Sequence, residues 1–178
     1  MTDSPPPRIL SIAGSDSSGG AGIQADIKTI TMLGGYAMTA LTAITAQNTR
    51  GVQGVEPLPP HFVLDQVASC LSDIGADAIK IGMLHDADII GEVAKLLATL
   101  PEARDVPIIL DPVMVATSGG RLLQEDAVQS MRDTLFPLAS LLTPNLPEAA
   151  RLLNQPEADS ADQMVTQARA LLKMGPKA

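Results

Sequence analysis

The chain has 178 residues and a formal net charge of −8, and 46% of its residues are hydrophobic although only 2% are aromatic. This length suits one domain with a sizeable core, and the apolar content favours folding over disorder. The negative charge argues against a nucleic acid or an anionic membrane as a partner. A small anion remains possible, because backbone N–H groups and a divalent metal can hold phosphates.

The cysteine content and the N-terminus indicate a soluble, cytoplasmic protein. The single cysteine, Cys70, allows no internal disulfide and falls on the apolar face of a predicted helix, so we expect it in the core. The first residues lack the features of a signal peptide, and no apolar run is long enough to span a membrane. Three consecutive prolines predict a short disordered tail over Met1–Pro7.

After the tail, apolar strands alternate with amphipathic segments. The pattern predicts a strand over Arg8–Ala13, a glycine-rich loop over Gly14–Gly22 and a helix that ends near Gly34. Alternating Thr, Ile and Ala residues favour a strand over Tyr36–Ala46, with a helix as the alternative because of the many alanines. A polar loop follows over Gln47–Gly54. The remaining predicted elements are a helix with Val63, Val67, Leu71 and Ile74 inside, a strand over Ala78–Ile81, a helix with Ile90, Val93, Leu97 and Leu100 inside, a strand over Pro107–Leu110, a helix with Val128, Met131 and Leu135 inside, a strand over Ser140–Leu142, and a helix opened by the capping box Ser160–Gln163 and closed by Gly175.

The predicted strands are short and apolar throughout. Strands of this kind are covered on both faces, which is typical of a parallel sheet with helices on either side. The sequence therefore predicts an α/β fold. Because the alternation stops after a helix, we also expect the next strand to be missing and one edge of the sheet to be uncovered.

In an open parallel sheet, ligands bind at the loops that follow the strands. The glycine-rich loop lets the backbone approach a ligand at a helix N-terminus, or it is only a turn that starts the helix. It is no Walker A loop, because Gly20 stands where the lysine belongs. A dinucleotide fingerprint, which would indicate an NAD oxidoreductase, matches weakly at Gly20, Gly22 and Ala25, with no acid before Glu56 to hold a ribose.

Two further loops carry side chains suited to a flat heterocycle. The Gln47 carboxamide can pair in bidentate fashion with an aminopyrimidine, although a loop glutamine without a role is the plain alternative. In the segment Lys80–Leu84, Gly82 permits close approach and Met83 offers a flexible apolar surface. Core packing is the alternative for Met83.

Oxygen-bearing side chains follow two later strands. Asp111, Asn145 and Glu148 lie just beyond them, and such oxygens suit Mg²⁺. The structural alternative for Glu148 is a first-turn acid that interacts with the helix dipole. His61 and His85 show no metal-ligand spacing and no nucleophile pattern, so neither is given a role.

Taken together, five segments in order closely resemble the hydroxymethylpyrimidine/phosphomethylpyrimidine kinases of the ribokinase-like superfamily. They are Ala13–Asp26, Ala46–Val52, Lys80–Met83, Asp111–Met114 and Thr143–Glu148. The resemblance implies a three-layer α/β/α ribokinase-like fold with a mostly parallel central sheet, and residues 8–178 as the N-terminal portion of a single kinase domain. It also implies an ATP- and Mg²⁺-dependent phosphotransferase of thiamine biosynthesis, acting as a homodimer. Its substrates would be 4-amino-5-hydroxymethyl-2-methylpyrimidine and the monophosphate of that pyrimidine.

The resemblance also implies roles for single residues. Gln47 would read the aminopyrimidine edge, and Asp26 would lie near the hydroxymethyl group. Asn145 and Glu148 match an N-x-x-E motif that organises magnesium and phosphate, with Asp111 beside it. The rest of the pyrimidine pocket would be formed by Gly14, Ala21, Met83 and Val113.

The departure from the family pattern lies at the end of the chain. Family members continue into a strand with K-G-G and a G-T-G-C or G-T-G-D loop, which forms the anion hole and supplies the residue proposed to activate the hydroxyl. The resemblance therefore places the general base beyond Ala178, and no catalytic residue is assigned here. We expect little or no turnover from these residues alone.

Two other functions remain open from the sequence. Pyridoxal or pyridoxamine kinases share the features at Asp111, Asn145 and Glu148. A non-catalytic module that only binds a pyrimidine is the second alternative.

Overall fold

A computed structural model describes residues 4–114 and 125–178 of the chain. These residues form seven β-strands and six α-helices. The strands are β1 (Arg8–Ala13), β2 (Tyr36–Leu41), β3 (Ala43–Asn48), β4 (Gly51–Pro57), β5 (Ala78–Ile81), β6 (Ile108–Leu110) and β7 (Leu141–Leu142). The helices are α1 (Gly22–Met32), α2 (Pro60–Asp73), α3 (Ala87–Thr99), α4 (Glu125–Thr134), α5 (Leu146–Leu153) and α6 (Ala161–Leu172).

Five of the strands form one parallel sheet in the order β2-β1-β5-β6-β7. Four consecutive residues of β1, from Leu10 to Ala13, are at most 1% exposed. Consecutive buried residues point to opposite faces of a strand, so both faces of the sheet are covered. The predicted parallel α/β sheet is confirmed.

The two faces of the sheet have different chemistry. On one face, Leu10 and Ile12 of β1 belong to the main hydrophobic core together with Val63 and Val67 of α2. On the other face, the Ser11 hydroxyl donates to an Asp26 carboxylate oxygen of α1 at 2.6 Å. The α1 face therefore contains polar groups that the α2 face lacks.

The residues predicted to lie on the inner faces of three helices are buried, except at two helix ends. On α2, α3 and α4 the predicted residues are buried, with Ile74 and Leu100 half-buried at helix ends. Cys70 is half-buried and packs against the core, as expected. Within residues 4–114 and 125–178, no helix is long and apolar enough to cross a bilayer.

The prediction of a single strand over Tyr36–Ala46 is wrong, because this segment contains parts of two strands, β2 and β3, which belong to two different sheets. The chain leaves the parallel sheet at Thr42, which is fully buried. The Thr42 N–H donates to the Ala13 carbonyl at 3.1 Å, and its hydroxyl donates to the Met83 carbonyl at 2.7 Å. These bonds replace the sheet pairing at the break, and β3 continues beyond it in a separate sheet.

The polar loop predicted over Gln47–Gly54 is also wrong. The segment belongs to an antiparallel hairpin of β3 and β4, with a register shift between Ala46 and Gln47. Ser15 joins this hairpin to the glycine-rich loop: its hydroxyl accepts from the Thr45 N–H at 2.9 Å, and its carbonyl accepts from the Thr45 hydroxyl at 2.8 Å. The hairpin is therefore held beside the carboxyl end of β1.

The capping box forms at α5 and not at the predicted position. The Ser160 side chain makes no capping bond, and the Gln163 side chain accepts from the Asp159 N–H at 3.1 Å. At α5, Asn145 and Glu148 each accept from the backbone N–H of the other at 2.9 Å. The N-terminus of α5 therefore has the reciprocal bonds expected at α6.

The edges of the parallel sheet are partly covered. On β2, the Gln66 carboxamide accepts from the Leu41 N–H and donates to its carbonyl, at 2.9 and 3.0 Å. Beside β7, the Leu142 N–H donates to the Ala178 carbonyl at 2.9 Å. The fully uncovered edge expected from the sequence is therefore not observed at β7.

The predicted N-terminal tail is described only in part. Residues 1–3 lie outside the described residues, and residues 4–7 are exposed. The Pro7 carbonyl accepts from the Tyr36 N–H at 2.8 Å, so the tail is bonded where it enters the sheet. Disorder of the tail stays a prediction.

Candidate active site

A cavity of about 300 Å³ lies at the carboxyl ends of β1 and β5, beside the hairpin. All six residues that the sequence predicts for a pyrimidine pocket line it, and Asp111 does too. These six are Gly14, Ala21, Asp26, Gln47, Met83 and Val113.

A larger cavity of about 530 Å³ lies elsewhere, between α4 and α5. It contains none of the predicted site residues. We assign the chemistry to the smaller cavity, because ligands of parallel α/β sheets bind where the loops after the strands converge.

The glycine-rich loop is organised by Asp16, a residue that the sequence did not single out. Its carboxylate accepts from the backbone N–H groups of Ser18, Gly20 and Ala21 at 2.8–2.9 Å, and from the Ser18 hydroxyl at 2.7 Å. Burial raises the pKa of Asp16, but these hydrogen bonds outweigh it and hold the pKa below its ordinary value. These N–H groups therefore already have an acceptor inside the loop.

Two glycines permit the close packing of this loop. Gly22 begins α1 with φ +55°, and a Cβ there would lie 2.4 Å from the Gly14 carbonyl oxygen. A Cβ at Gly14 would lie 2.3 Å from the Met83 methyl carbon. The first contact is with backbone and the second with the mobile end of a side chain that lines the cavity.

Lys80 is a charged residue of the cavity wall that the sequence did not predict. It pairs in register with Ser11, so both side chains lie on the α1 face of the sheet. Its Nζ contacts the Asp26 oxygens at 3.0 and 3.1 Å, and Asp111 Oδ2 at 3.8 Å. The available signal was a charged residue inside an otherwise apolar strand.

Gln47 lies in the irregular part of the hairpin, where its backbone is tied to the glycine-rich loop. The Ser17 hydroxyl accepts from the Gln47 N–H and donates to its carbonyl, both at 2.8 Å. No described residue hydrogen-bonds the Gln47 carboxamide, which is half-buried at the cavity wall. Its donors and acceptor are therefore available to a ligand.

Met83 is held by its backbone, while its side chain lines the cavity. The Met83 carbonyl accepts from the Gly14 N–H at 3.1 Å and from the Thr42 hydroxyl. The side chain is half-buried rather than enclosed in the core. A thioether in this position offers an adaptable apolar surface to a ring.

Asp111 borders the cavity, whereas Asn145 and Glu148 do not line it. Burial raises the pKa of Asp111, the Lys80 charge opposes this, and the Asp26 carboxylate adds to it. Burial also raises the pKa of Glu148; the Asn145 backbone opposes this rise and the Asp111 charge adds to it.

The described residues offer few ligands to a magnesium ion. In the described part of the chain, no three His, Cys, Asp or Glu side chains form a cluster that would hold a metal. Mg²⁺ needs only one or two carboxylates when water and phosphate complete its shell. The Asp111 carboxylate, 35% exposed, fits that limited role. Neither His61 nor His85 lines the cavity.

The parallel sheet, its helices on both faces and the cavity over its strand ends are those of a ribokinase-like α/β fold, as predicted. The model of the phosphomethylpyrimidine kinase family matches residues 16–178. The chain belongs to this family.

Three known proteins illustrate the similarity. The hydroxymethylpyrimidine/phosphomethylpyrimidine kinase of Salmonella typhimurium is 50% identical over 166 residues, which are 93% of this chain and 61% of the relative. The crystal structure of phosphomethylpyrimidine kinase from Clostridium difficile matches with a TM-score of 0.87 and 42% identity, over 96% of this chain and 72% of that one. The pyridoxal kinase of Staphylococcus aureus, in complex with AMP-PCP and pyridoxal, matches with a TM-score of 0.82 and 36% identity, over 96% and 60%.

The chain is shorter than these relatives. It spans about three fifths of the length of the Salmonella kinase.

Proposed function

We propose that the chain is the N-terminal portion of an ATP- and Mg²⁺-dependent kinase of thiamine biosynthesis. The kinase phosphorylates 4-amino-5-hydroxymethyl-2-methylpyrimidine and then the resulting monophosphate. The observation that supports this most is the cavity of about 300 Å³ lined by all six predicted pyrimidine residues, in a chain of the phosphomethylpyrimidine kinase family.

In this proposal the cavity has a ring end and a phosphate end. The free Gln47 carboxamide pairs with the amino group and ring nitrogen of the pyrimidine, and Met83 packs against the ring. Asp26 lies beside the hydroxymethyl group. Asp111, with Glu148 and Asn145 behind it, faces magnesium and the phosphates of ATP.

The nucleotide is ATP by analogy with the S. aureus pyridoxal kinase, which was solved with AMP-PCP. Mg²⁺ would supply the charge that neutralises the transferring phosphoryl group, and Asp111 would hold it through a carboxylate oxygen. We further expect a homodimer, which light scattering of the purified chain would test.

Calorimetry tests the ligand-binding part of this proposal. The 178-residue chain should bind the hydroxymethylpyrimidine, and Gln47→Ala should weaken that binding. Gln53→Ala is the matched control, because Gln53 lies on β4 and does not line the cavity. Binding of pyridoxal in preference to the pyrimidine would overturn the proposal.

A pyridoxal kinase is the second candidate, and the similarity to the S. aureus enzyme favours it. Competition between the two ligands for one site separates the candidates. A non-catalytic pyrimidine-binding module is a third. Pyrimidine affinity that does not change when Mg²⁺ and AMP-PCP are added would favour the module.

A further inference from the structure

We propose that Lys80 binds the phosphate group of the monophosphate substrate and thereby adapts one cavity to both of its substrates. This inference rests on the proposed function, since it concerns the second phosphorylation step. Its basis is the position of the Lys80 ammonium group between two carboxylates, and the charge of the cavity around it.

The Lys80 ammonium group lies between the two ends of the cavity. Strand register places it on the α1 face, level with Ser11. There it contacts Asp26, at the hydroxymethyl end, and reaches within 3.8 Å of Asp111, at the phosphate end. In the orientation proposed above, a phosphate attached to the hydroxymethyl group lies near these two carboxylates.

The charges of the cavity require a cation at that place. Among the described residues that line the cavity, Lys80 alone carries a positive charge. The Asp16 carboxylate is occupied by hydrogen bonds from its own loop. Asp26 and Asp111 also line the cavity, and in the proposed orientation of the substrate they are the carboxylates nearest the phosphate. A phosphate monoester carries about −1.5 to −2 charges at neutral pH. The uncharged hydroxymethyl group makes no such demand.

Lys80 also retains the hydrogen-bonding capacity for this task. An ammonium group has three donors, and the contacts within hydrogen-bonding distance both go to the Asp26 carboxylate. The 3.8 Å contact with Asp111 is an ion pair without a hydrogen bond. With its side chain 25% exposed, Lys80 can direct a remaining donor at a phosphate oxygen.

The test compares the two ligands in one variant. Lys80→Met should weaken binding of the monophosphate by about 10- to 100-fold, the size of a hydrogen bond to a charged group. Binding of the unphosphorylated pyrimidine should weaken by a smaller factor, so the ratio of the two affinities should fall by about 10-fold or more. Lys95→Met is the control for net charge, because Lys95 is exposed on α3 and does not line the cavity.

A second pair of variants separates phosphate binding from neutralisation of Asp26. In the Asp26→Asn background, Lys80→Met removes the lysine without leaving an unpaired Asp26 carboxylate. The additional Lys80→Met change should again weaken the monophosphate selectively. Monophosphate affinity equal to that of Asp26→Asn alone would overturn the inference.

The remaining outcomes are also decisive. Equal weakening of both ligands by Lys80→Met would assign Lys80 a structural role and overturn the inference while leaving the proposed function intact. If the unaltered chain binds neither pyrimidine, the proposed function fails, and the inference fails with it.

Discussion

Two glycines of the same loop should lose stability to different extents when one methyl group is added to each. In Gly22→Ala, the new Cβ would lie 2.4 Å from the Gly14 carbonyl oxygen, where ordinary contact begins at 3.4 Å. That carbonyl also accepts from the Ile23 N–H at 3.1 Å. The backbone of the loop must therefore shift by about 1 Å.

The cost of Gly22→Ala has two parts. The positive φ of +55° costs an alanine about 1–2 kcal/mol. Overpacking against rigid backbone costs about 1–3 kcal/mol more. We therefore expect the free energy of unfolding to fall by about 2–5 kcal/mol.

Gly14→Ala produces an overlap of similar size, at 2.3 Å, but with the Met83 methyl carbon. That methyl group can move aside by rotation of the side chain. We expect unfolding free energy to fall by less than about 1.5 kcal/mol. Pyrimidine affinity should fall, because the displaced methyl group enters the cavity.

Urea denaturation measures the free energy of unfolding of the two variants, and calorimetry measures the pyrimidine affinity of Gly14→Ala. The midpoint should shift for Gly22→Ala with little change in slope. Wild-type stability of Gly22→Ala would refute the argument from backbone contact. A loss of stability in Gly14→Ala as large as in Gly22→Ala would refute the argument from side-chain mobility.

Four further substitutions test other parts of the structure. Gln47→Ala should weaken pyrimidine binding by about 1–3 kcal/mol, the size of a lost bidentate pair, and unchanged affinity in calorimetry would remove Gln47 from the pocket. Glu148→Gln keeps an oxygen for the Asn145 N–H, so pyrimidine affinity should persist while Mg²⁺-dependent ATP binding falls; equal loss of both would indicate misfolding. Asp16→Asn places an NH2 group opposite the N–H donors of Gly20 and Ala21, and it should lower the free energy of unfolding by about 1–3 kcal/mol at pH 7. Because folding lowers the pKa of Asp16, its stabilisation is present above the unfolded pKa and is lost as pH falls through the folded one. The stability difference between wild type and Asp16→Asn should therefore shrink below about pH 4 in urea titrations, and a constant difference would contradict the assignment. Gly91→Ala, inside α3 with no atom within 4 Å of the new Cβ, should raise unfolding free energy by about 0.5–1 kcal/mol, whereas a lower melting temperature would show hidden crowding.

The parallel sheet was predictable because its central strands are mostly apolar. The bounds predicted for Arg8–Ala13 and Ala78–Ile81 match β1 and β5. The break at Thr42 was not predictable in this way, since neither glycine nor proline marks it. Its hydrogen bonds to the Ala13 and Met83 carbonyls decide it, and both partners are remote in sequence.

The capping boxes illustrate the same limit at short range. Ser160–Gln163 and Asn145–Glu148 both have a suitable spacing for a capping box, and only the second forms one. Gln163 bonds instead to the N–H of Asp159, one residue before the expected cap. The spacing is necessary for the reciprocal bonds, but the path of the preceding chain determines whether they form.

The resemblance predicted the six residues that line the cavity together, but it did not predict the partner of Asp26. That Lys80 reaches Asp26 follows from the register of β5 beside β1, which places Lys80 level with Ser11. Register joins residues about seventy positions apart. A single sequence without strand pairing contains no signal for it.

The attachment of the hairpin has a mechanical consequence. Among the described strands, β3 and β4 pair only with each other. Three side chains join them to the glycine-rich loop through hydrogen bonds: Ser15, Ser17 and Thr45. The hairpin and the glycine-rich loop are therefore mechanically coupled, and a ligand that binds to one of them also restrains the other. We expect ligand binding to reduce the mobility of β4 as well, although no residue of β4 lines the cavity.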